Sequence, residues 1–274
     1  MLTSVLDPDT PDAVSSIVDW TADRLKLSRA AAEATRAVLA AVGPSTGGEG
    51  HGFIYEVHLD GSDRVDLFVF TKAEAGGTVE FAAGVFEVGK WDVLEYDLDS
   101  GGPTLAGVFH RVRRAELPEE LAGWGTPALV AAMSGQSRQL RLIFPVADAA
   151  ELTSMLDELR RRGARTDVLD RLGRATCLLT SPESLRLAIE YLPDEQRIGD
   201  RVGLEVFIDP RVHDVFGVLA DLGVADADAA RMRELADALP MNRVRRRRIP
   251  GLPGVALPNR YDSIGFGHFS LSWP

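Results

Sequence analysis

The sequence contains a single cysteine, Cys177, among its 274 residues. One cysteine excludes a disulfide within the chain and is typical of a reducing compartment, so we expect a cytoplasmic location. The sequence also lacks a run of about 18 consecutive apolar residues, the length that a helix needs to cross a bilayer. The first 20 residues carry Asp7, Asp9 and Asp12 and lack the basic start of a signal peptide. We therefore expect no membrane partner.

Positive charge is also scarce. The sequence has 30 lysines and arginines against 41 aspartates and glutamates, so its formal net charge is −11. Proteins that bind nucleic acids neutralise phosphates with lysine and arginine, so this balance argues against a nucleic-acid partner. The basic residues are nevertheless clustered, at Arg111, Arg113 and Arg114, at Arg160–Arg162, and at Arg243 and Arg245–Arg248. Most such runs are solvated surface, but these clusters leave local anion sites open.

The motifs that mark common active sites are missing. The sequence has no phosphate-binding GxxxxGK[ST] loop, no dinucleotide-binding glycine fingerprint after a strand and no GxSxG nucleophile elbow. Its five histidines and Cys177 do not have the spacing of a zinc site. We therefore expect no metal centre, and Cys177 is expected to be a core residue rather than a nucleophile.

The composition is that of a globular protein, with 45% hydrophobic and 26% charged residues. A chain of this length can bury a large core, and no linker-like segment appears before residue 240. We therefore expect a single domain over residues 1–274. Residues 240–259, rich in arginine, proline and glycine, are predicted to form an irregular basic loop.

Hydrophobic periodicity, capping residues and glycine or proline breaks predict the helices and strands. The predicted helices are 12–42 at the N-terminus, 117–135, 149–162, 211–222 and 226–239. Two strands, 53–60 and 65–72, are predicted to form a hairpin around the turn at 61–63. The other predicted strands are 78–88, 91–98, 104–112, 139–146, 174–180, 184–192, 202–209 and 265–273.

The order of these elements places hairpins, rather than single strands, between the helices. A doubly wound parallel sheet needs single strands that alternate with helices, so that fold is disfavoured. Helix and hairpin units in series favour an α+β fold in which an antiparallel β-barrel has its helices outside. Two α+β sandwiches remain the alternative.

The strand at 53–60 alternates strictly, with Tyr55 and Val57 on one face and Glu56 and His58 on the other. Later strands repeat this pattern of one apolar face and one face with isolated charges. The residues predicted on the polar faces are Glu56, His58, Asp66, Lys72, Arg141, Arg186, Glu190, Glu205, Asp209, His268 and Ser270. These faces are turned either to water or to a polar cavity, and a cavity of this kind would suit an amphipathic ligand.

Four segments resemble the ABBA, or PT-barrel, prenyltransferases, and particularly the cyanobactin-type peptide prenyltransferases. They are Phe53–Lys72, Leu140–Asp148 (LRLIFPVAD), Leu172–Leu192 and the closing segment Asn259–Trp273 (NRYDSIGFGHFSLSW). Together they cover about a quarter of the chain. The resemblance lies in the order of the strands and in their alternation of apolar and charged residues, rather than in a signature motif.

The resemblance implies an enzyme that ionises an allylic diphosphate inside a barrel and transfers the allylic group to an aromatic or peptide side chain of a small-molecule or peptide substrate. Glu56 matches the first-strand acid that takes the proton from the nucleophile, and a half-buried carboxylate suits that role. Arg141 matches a basic position that grips the diphosphate. The full expected set is Glu56 and His58 as catalytic residues, Arg141, Arg186 and Lys72 for the diphosphate, and Phe68 and Phe70 as the carbocation shield. The diphosphate is the co-substrate and no cofactor is required, because many members of the family need no metal; Mg²⁺ is a possible addition.

The sequence also departs from the family pattern. Pro145 replaces a second basic position, and Ala188 stands where the family often has a diphosphate-binding tyrosine. A non-catalytic accessory protein that binds a peptide or metabolite on a degenerate barrel is therefore the alternative. The run Arg243–Arg248 would supply the missing positive charge if it formed a lid. A hydrolase or lyase that uses Glu56 and His58 is a third option.

Overall fold

The computed structural model describes most of the chain. The described residues are 2–5, 18–19, 22–23, 26–42, 52–57, 65–72, 76–81, 83–99, 102–133, 139–174, 186–207, 226–227, 229–230, 234, 265–266 and 268–273. The chain divides into two compact units. Unit 1 comprises Met1–Lys72, Val93–Ala106 and Gly223–Gly267, and unit 2 comprises Ala73–Asp92, Gly107–Leu222 and His268–Pro274.

The structure gives the bounds of twelve strands and three α-helices, and residues 18–19, 22–23, 226–227, 229–230 and 234 are also helical. The strands are β1 (Leu2–Val5), β2 (Gly52–Val57), β3 (Val65–Lys72), β4 (Gly77–Phe81), β5 (Gly84–Asp99), β6 (Gly102–Glu116), β7 (Leu129–Met133), β8 (Leu140–Pro145), β9 (Arg186–Leu192), β10 (Arg197–Phe207), β11 (Gly265–Phe266) and β12 (His268–Trp273). The helices are α1 (Arg29–Val42), α2 (Ala149–Arg161) and α3 (Thr166–Arg174), with short 3₁₀ turns at Ala122–Trp124 and Pro193–Glu195. The predicted α+β class with a large antiparallel sheet is confirmed.

In unit 1, antiparallel pairing gives the strand order β11–β1–β2–β3. Helix α1 contacts β3. The hydroxyl of Tyr55 on β2 donates to Oγ1 of Thr35 on α1 (2.9 Å), and Thr35 in turn donates to the carbonyl of Ala31 (2.8 Å). Both Tyr55 and Thr35 are fully buried. This chain of hydrogen bonds satisfies the polar atoms that the helix and the sheet bury between them.

Ser28 caps the start of helix α1. Oγ of Ser28 accepts a hydrogen bond from the backbone N–H of Ala31 (3.1 Å), and Arg29 pairs with Glu33 one turn later (2.7 Å). The prediction of one helix over 12–42 is wrong, because the chain turns at residues 26–28 and Lys26 has a left-handed φ of 53°. A left-handed residue followed by a capping serine ends one helical segment and starts the next.

In unit 2, antiparallel pairing gives the order β6–β7–β8–β9–β10–β12, and β4 pairs with β5. One face of the strands β8–β10 is apolar and buried, as are the inward leucines of α2 and α3. Those residues are Leu140, Leu142, Phe144, Leu187, Ile189, Tyr191, Val202 and Leu204 on the strands and Leu152, Leu156, Leu159, Leu169 and Leu172 on the helices. Helix α3 contacts both α2 and β10. The hydrophobic core of unit 2 therefore lies on this face.

The predicted helix over 117–135 is wrong. Pro118 and the Gly125–Pro127 segment interrupt a helix, so only the 3₁₀ turn Ala122–Trp124 forms. The apolar run Leu129–Met133 is the strand β7 instead, and it pairs with β6 on one side and β8 on the other. Helix α3 was not predicted, and residue 174, expected to begin a strand, is its last residue.

The other strand boundaries also differ from those expected. The predicted strand 78–88 is broken, because Phe81 and Gly84 pair across a tight turn in which Gly84 has a φ of 127°. β5 then runs on through the predicted strand 91–98. Predictions at 58–64, most of 174–185, 208–225 and 240–259 lie outside the described residues.

In neither unit do the pairings of the described strands close into a ring. None of the helices in the described part of the chain combines the length and the apolar character needed to span a membrane.

Candidate functional site

Glu56 lies on β2 of unit 1, half-buried and directly opposite Asp66 of β3. Asp66 is only 2% exposed, and both carboxylates have further interaction partners. Like charges directly opposite on neighbouring strands destabilise a sheet unless other groups compensate them. The pair therefore marks a polar position inside unit 1.

The face of β3 that carries Asp66 is not turned to water. Phe68, two residues further along this face, is 8% exposed, and Phe70 is half-buried. Every residue of Val65–Val69 is buried, so both faces of the strand are covered. For β3, the structure excludes the interpretation of the polar face as a solvated surface. Glu56, Phe68 and Phe70 share this face, as the register of β2 and β3 requires.

Two of the predicted residues have no described side chain. Lys72 is the last residue of β3, and its side chain lies outside the described part of the structure. His58 follows β2 and lies outside the described residues altogether. Their predicted roles stay predictions.

Arg141 on β8 and Arg186 on β9 lie on one face of the unit 2 sheet, opposite to its apolar core face. Both are half-buried. Residue Pro145 is directly opposite Arg186, so the two arginines are offset by four residues, which corresponds to about 13 Å of strand rise. They share a face without being direct neighbours.

Two further arginines lie on this same face. Arg111 and Arg113 alternate with a buried Val112 on β6, and Arg111 is in register with Leu129 of β7. We call Arg111, Arg113, Arg141 and Arg186 the arginine face. An apolar cross-strand row runs between its members and consists of Leu129, Ile143 and Ala188.

The arginine face differs from the other basic clusters in its ion pairs. Arg160, Arg161 and Arg162 at the end of α2 are all paired with carboxylates of α2 and α3, as expected for solvated helix surface. Arg111, Arg113 and Arg141 have no ion-pair partner among the described residues. In a protein with eleven more acids than bases, three unpaired arginines on one sheet face are a local excess of positive charge.

A carboxylate stands close to Arg141 without pairing with it. Glu190 is directly opposite Arg141 on β9, but its side chain lies against the backbone of Gly199 on β10. A side chain at position 199 would collide with this carboxylate. Glycine at 199 therefore leaves the space that the Glu190 side chain occupies.

A histidine and an aspartate that the sequence did not single out are paired in unit 2. Nδ1 of His110 on β6 lies 2.8 Å from Oδ1 of Asp92 on β5, and the two side chains are 19% and 20% exposed. Asp92 and His110 are each nine residues from Gly101 in the sequence, where Gly101 and Gly102 predict a turn. Residues at equal distances on either side of a predicted hairpin turn are expected to lie opposite each other. This spacing was the sequence signal that could have identified the pair. His110 is in register with Val130, on the face opposite to the arginine face.

Burial changes the acidity of the described tyrosines. It raises the pKa of Tyr55 strongly, and the hydrogen bond to Thr35 offsets this effect only in part. Burial also raises the pKa of Tyr191, with a second contribution from the charge of Glu120. Neither phenol is therefore suited to act as a base. Among the described residues, no three histidine, cysteine, aspartate or glutamate side chains are grouped so that they could hold a metal ion.

The fold and the site thus define a mixed α+β protein with an antiparallel sheet, one face of which carries unpaired arginines. No protein-family model matches the chain. A search of curated proteins likewise found no match.

Proposed function

We propose that this protein is a prenyltransferase-like enzyme of a natural-product or modified-peptide pathway in the cytoplasm. It transfers an allylic group from a diphosphate to an aromatic or peptide side chain. The observation that carries the proposal is the arginine face, because the half-buried Arg141, which has no carboxylate partner in the described part of the chain, is suited to bind phosphate oxygens. A closed barrel with its helices outside belongs to the same proposal.

The apolar row between the arginines supports an amphipathic ligand rather than a bare anion. Leu129 and Ala188 in this row are half-buried, so a short hydrocarbon has some apolar surface beside the charged groups. Arg141 and Arg186 hold the diphosphate in this proposal, and Lys72 adds positive charge. Binding by the arginines stabilises the diphosphate as the allylic C–O bond breaks and the diphosphate leaves.

Glu56 takes the proton that the acceptor loses when its new bond to the allylic carbon forms. The buried face of β3 supports this role, because a general base works best away from bulk water. Phe68 and Phe70, on the same face as Glu56, are the proposed shield of the carbocation. His58 is the second proposed catalytic residue.

The test is product formation from dimethylallyl diphosphate with tyrosine- and tryptophan-containing peptides, followed by mass spectrometry. We expect Glu56→Gln to lower the transfer rate by roughly 10²–10⁴-fold, the usual loss for a general base. Glu33→Gln, an exposed carboxylate of helix α1, is the matched control and should retain full activity. Full activity of Glu56→Gln would show that Glu56 is not the base.

A non-catalytic binding protein is the second candidate, and Glu190 favours it. With Glu190 directly opposite Arg141, the face presents both signs of charge, which suits a peptide or zwitterionic metabolite. This candidate predicts binding of such a ligand that depends on both residues. It also predicts no product from any allylic diphosphate in the same assay.

A further inference from the structure

His110 and Asp92 lie outside the site described above. The arginine face and His110 are on opposite faces of the unit 2 sheet, because Arg111 and His110 are consecutive residues of β6. Asp92 lies on the neighbouring strand β5. His110 and Asp92 therefore have no direct contact with a ligand on the arginine face.

The hydrogen bond fixes the tautomer of His110. An ionised carboxylate only accepts hydrogen bonds, so the 2.8 Å contact to Asp92 requires that Nδ1 of His110 carries the proton. In the neutral imidazole Nε2 is then an acceptor. No described residue bonds to Nε2, and with 19% of the side chain exposed a ligand has access to the ring.

The surroundings of the ring are apolar. The ring of Phe81 lies 5.9 Å from that of His110 at an interplanar angle of 38°, and Phe86 lies 5.8 Å from Phe81. Val130, directly across on β7, is fully buried. Nε2 of His110, a hydrogen-bond acceptor whose ring is held in place by Asp92, therefore lies beside aromatic and aliphatic side chains.

The rings of Phe81 and His110 are closer together than straight strands would place them. Phe81 pairs with Gly84, and Gly84 contacts the backbone of Glu116. A straight strand would put about 20 Å between Glu116 and His110, six residues apart on β6. The rings of Phe81 and His110 are nevertheless 5.9 Å apart. The strands between these residues are therefore not straight, and the two rings lie against each other.

We propose that His110 and Asp92 form a binding site for a hydroxyl group carried on an aromatic body, such as a phenol. The ring of the ligand lies against the exposed edge of Phe81, and its hydroxyl donates to Nε2 of His110. Asp92 holds the imidazole in the required tautomer and orientation. The site does not depend on the proposed prenyl transfer, since it lies on the other face of the sheet.

The probe is p-cresol, and the matched ligand control is 4-methylanisole, which has the same ring but no hydroxyl proton. Long-range ¹H–¹⁵N correlation spectra at pH 8.5 should show His110 as the Nδ1–H tautomer. Saturating p-cresol should shift the Nε2 resonance. We expect p-cresol to bind at least about fivefold more tightly than 4-methylanisole, the factor that one net hydrogen bond supplies.

Two variants separate the hydroxyl site from general apolar binding. His110→Phe keeps a ring beside Phe81 but removes the acceptor, and it should bind both ligands equally. Asp92→Asn allows the amide to donate to Nδ1, so it should convert His110 to the Nε2–H tautomer and abolish the preference. Asp170→Asn removes a carboxylate from the exposed surface of α3 in the same unit and should change neither result.

Three outcomes would overturn the proposal in protein that gives a folded spectrum. They are a neutral His110 in the Nε2–H tautomer, equal binding of the two ligands to the unaltered protein, and a preference for p-cresol that survives in His110→Phe. Loss of allylic transfer alone would leave the proposal standing.

Discussion

Glu190 determines how much negative charge a ligand meets at Arg141. It stands directly opposite Arg141 but lies against Gly199. Replacing Glu190 by Gln removes a negative charge that would repel a diphosphate at Arg141. We expect Glu190→Gln to tighten binding of dimethylallyl diphosphate about two- to fivefold, equivalent to about 0.5–1 kcal/mol, as measured by calorimetry.

Glu151→Gln on the exposed start of α2 is the control for this charge change and should leave the affinity unaltered. A weaker affinity in Glu190→Gln than in the unaltered protein would mean that Glu190 helps to hold the ligand. That result would favour the second candidate function, a peptide- or zwitterion-binding protein.

The ionisation of the Tyr55 phenol makes the stability of unit 1 depend on pH. Burial raises its pKa in the folded state above the ordinary value of about 10. The folded protein therefore holds the phenolic proton more tightly than the unfolded chain does. The corresponding stability is fully present below pH 10 and is lost as the pH rises above that value. We expect Tyr55→Phe to lose about 1 kcal/mol of unfolding free energy at pH 8, because the hydrogen bond to Thr35 is gone.

The same substitution should flatten the alkaline part of the stability curve. Urea unfolding at pH 8, 10 and 11 measures both effects. Thr35→Ser keeps the hydroxyl partner and should keep the slope of the unaltered protein. An equally steep loss above pH 10 in Tyr55→Phe would show that another group causes the alkaline destabilisation.

At the scale of helices and strands, the sequence predicted a helix-capping residue correctly. It did not predict whether a short apolar segment is helix or strand. Asp148 was expected to start the helix at 149, and it does. The run Leu129–Met133 was predicted as helix, because a short apolar segment has no period that separates helix from strand. Its position between β6 and β8 decides its conformation, and that is tertiary information.

The cap of α2 provides a test of this level of structure. Oδ1 of Asp148 accepts a hydrogen bond from the N–H of Glu151 (2.8 Å), and the Glu151 carboxylate accepts one from the N–H of Ala147 (2.5 Å). Asp148→Ala removes this capping box and should lower the unfolding free energy by about 1 kcal/mol. Thermal unfolding followed by circular dichroism measures the change.

Asp157→Ala is the matched control, because it removes an exposed carboxylate of the same helix that pairs only with Arg160. Its cost should be within about 0.5 kcal/mol. Equal losses in the two variants would contradict a specific capping role for Asp148.

At the scale of the whole molecule, the sequence predicted the α+β class, and strand alternation predicted which face Arg141, Arg186 and Glu56 occupy. It did not predict that Asp66 is buried opposite Glu56, because the pairing register of two strands depends on their turn and packing. The sequence also did not predict that Arg111 and Arg113 share a face with Arg141. The strand β7, which joins β6 to β8 in the sheet, falls in the segment predicted as a helix. Residue types were readable from the sequence, whereas their juxtaposition was not.

The arginine face is the central claim, and calorimetric titration of dimethylallyl diphosphate, with and without Mg²⁺, tests it most directly. We predict micromolar binding to the unaltered protein and about 10- to 100-fold weaker binding to Arg141→Ala, the loss expected for charge-assisted hydrogen bonds. Arg161→Ala, on the exposed surface of α2, should bind as the unaltered protein does. An absence of binding, or equal affinities of the unaltered protein and Arg141→Ala, would contradict the proposed diphosphate site.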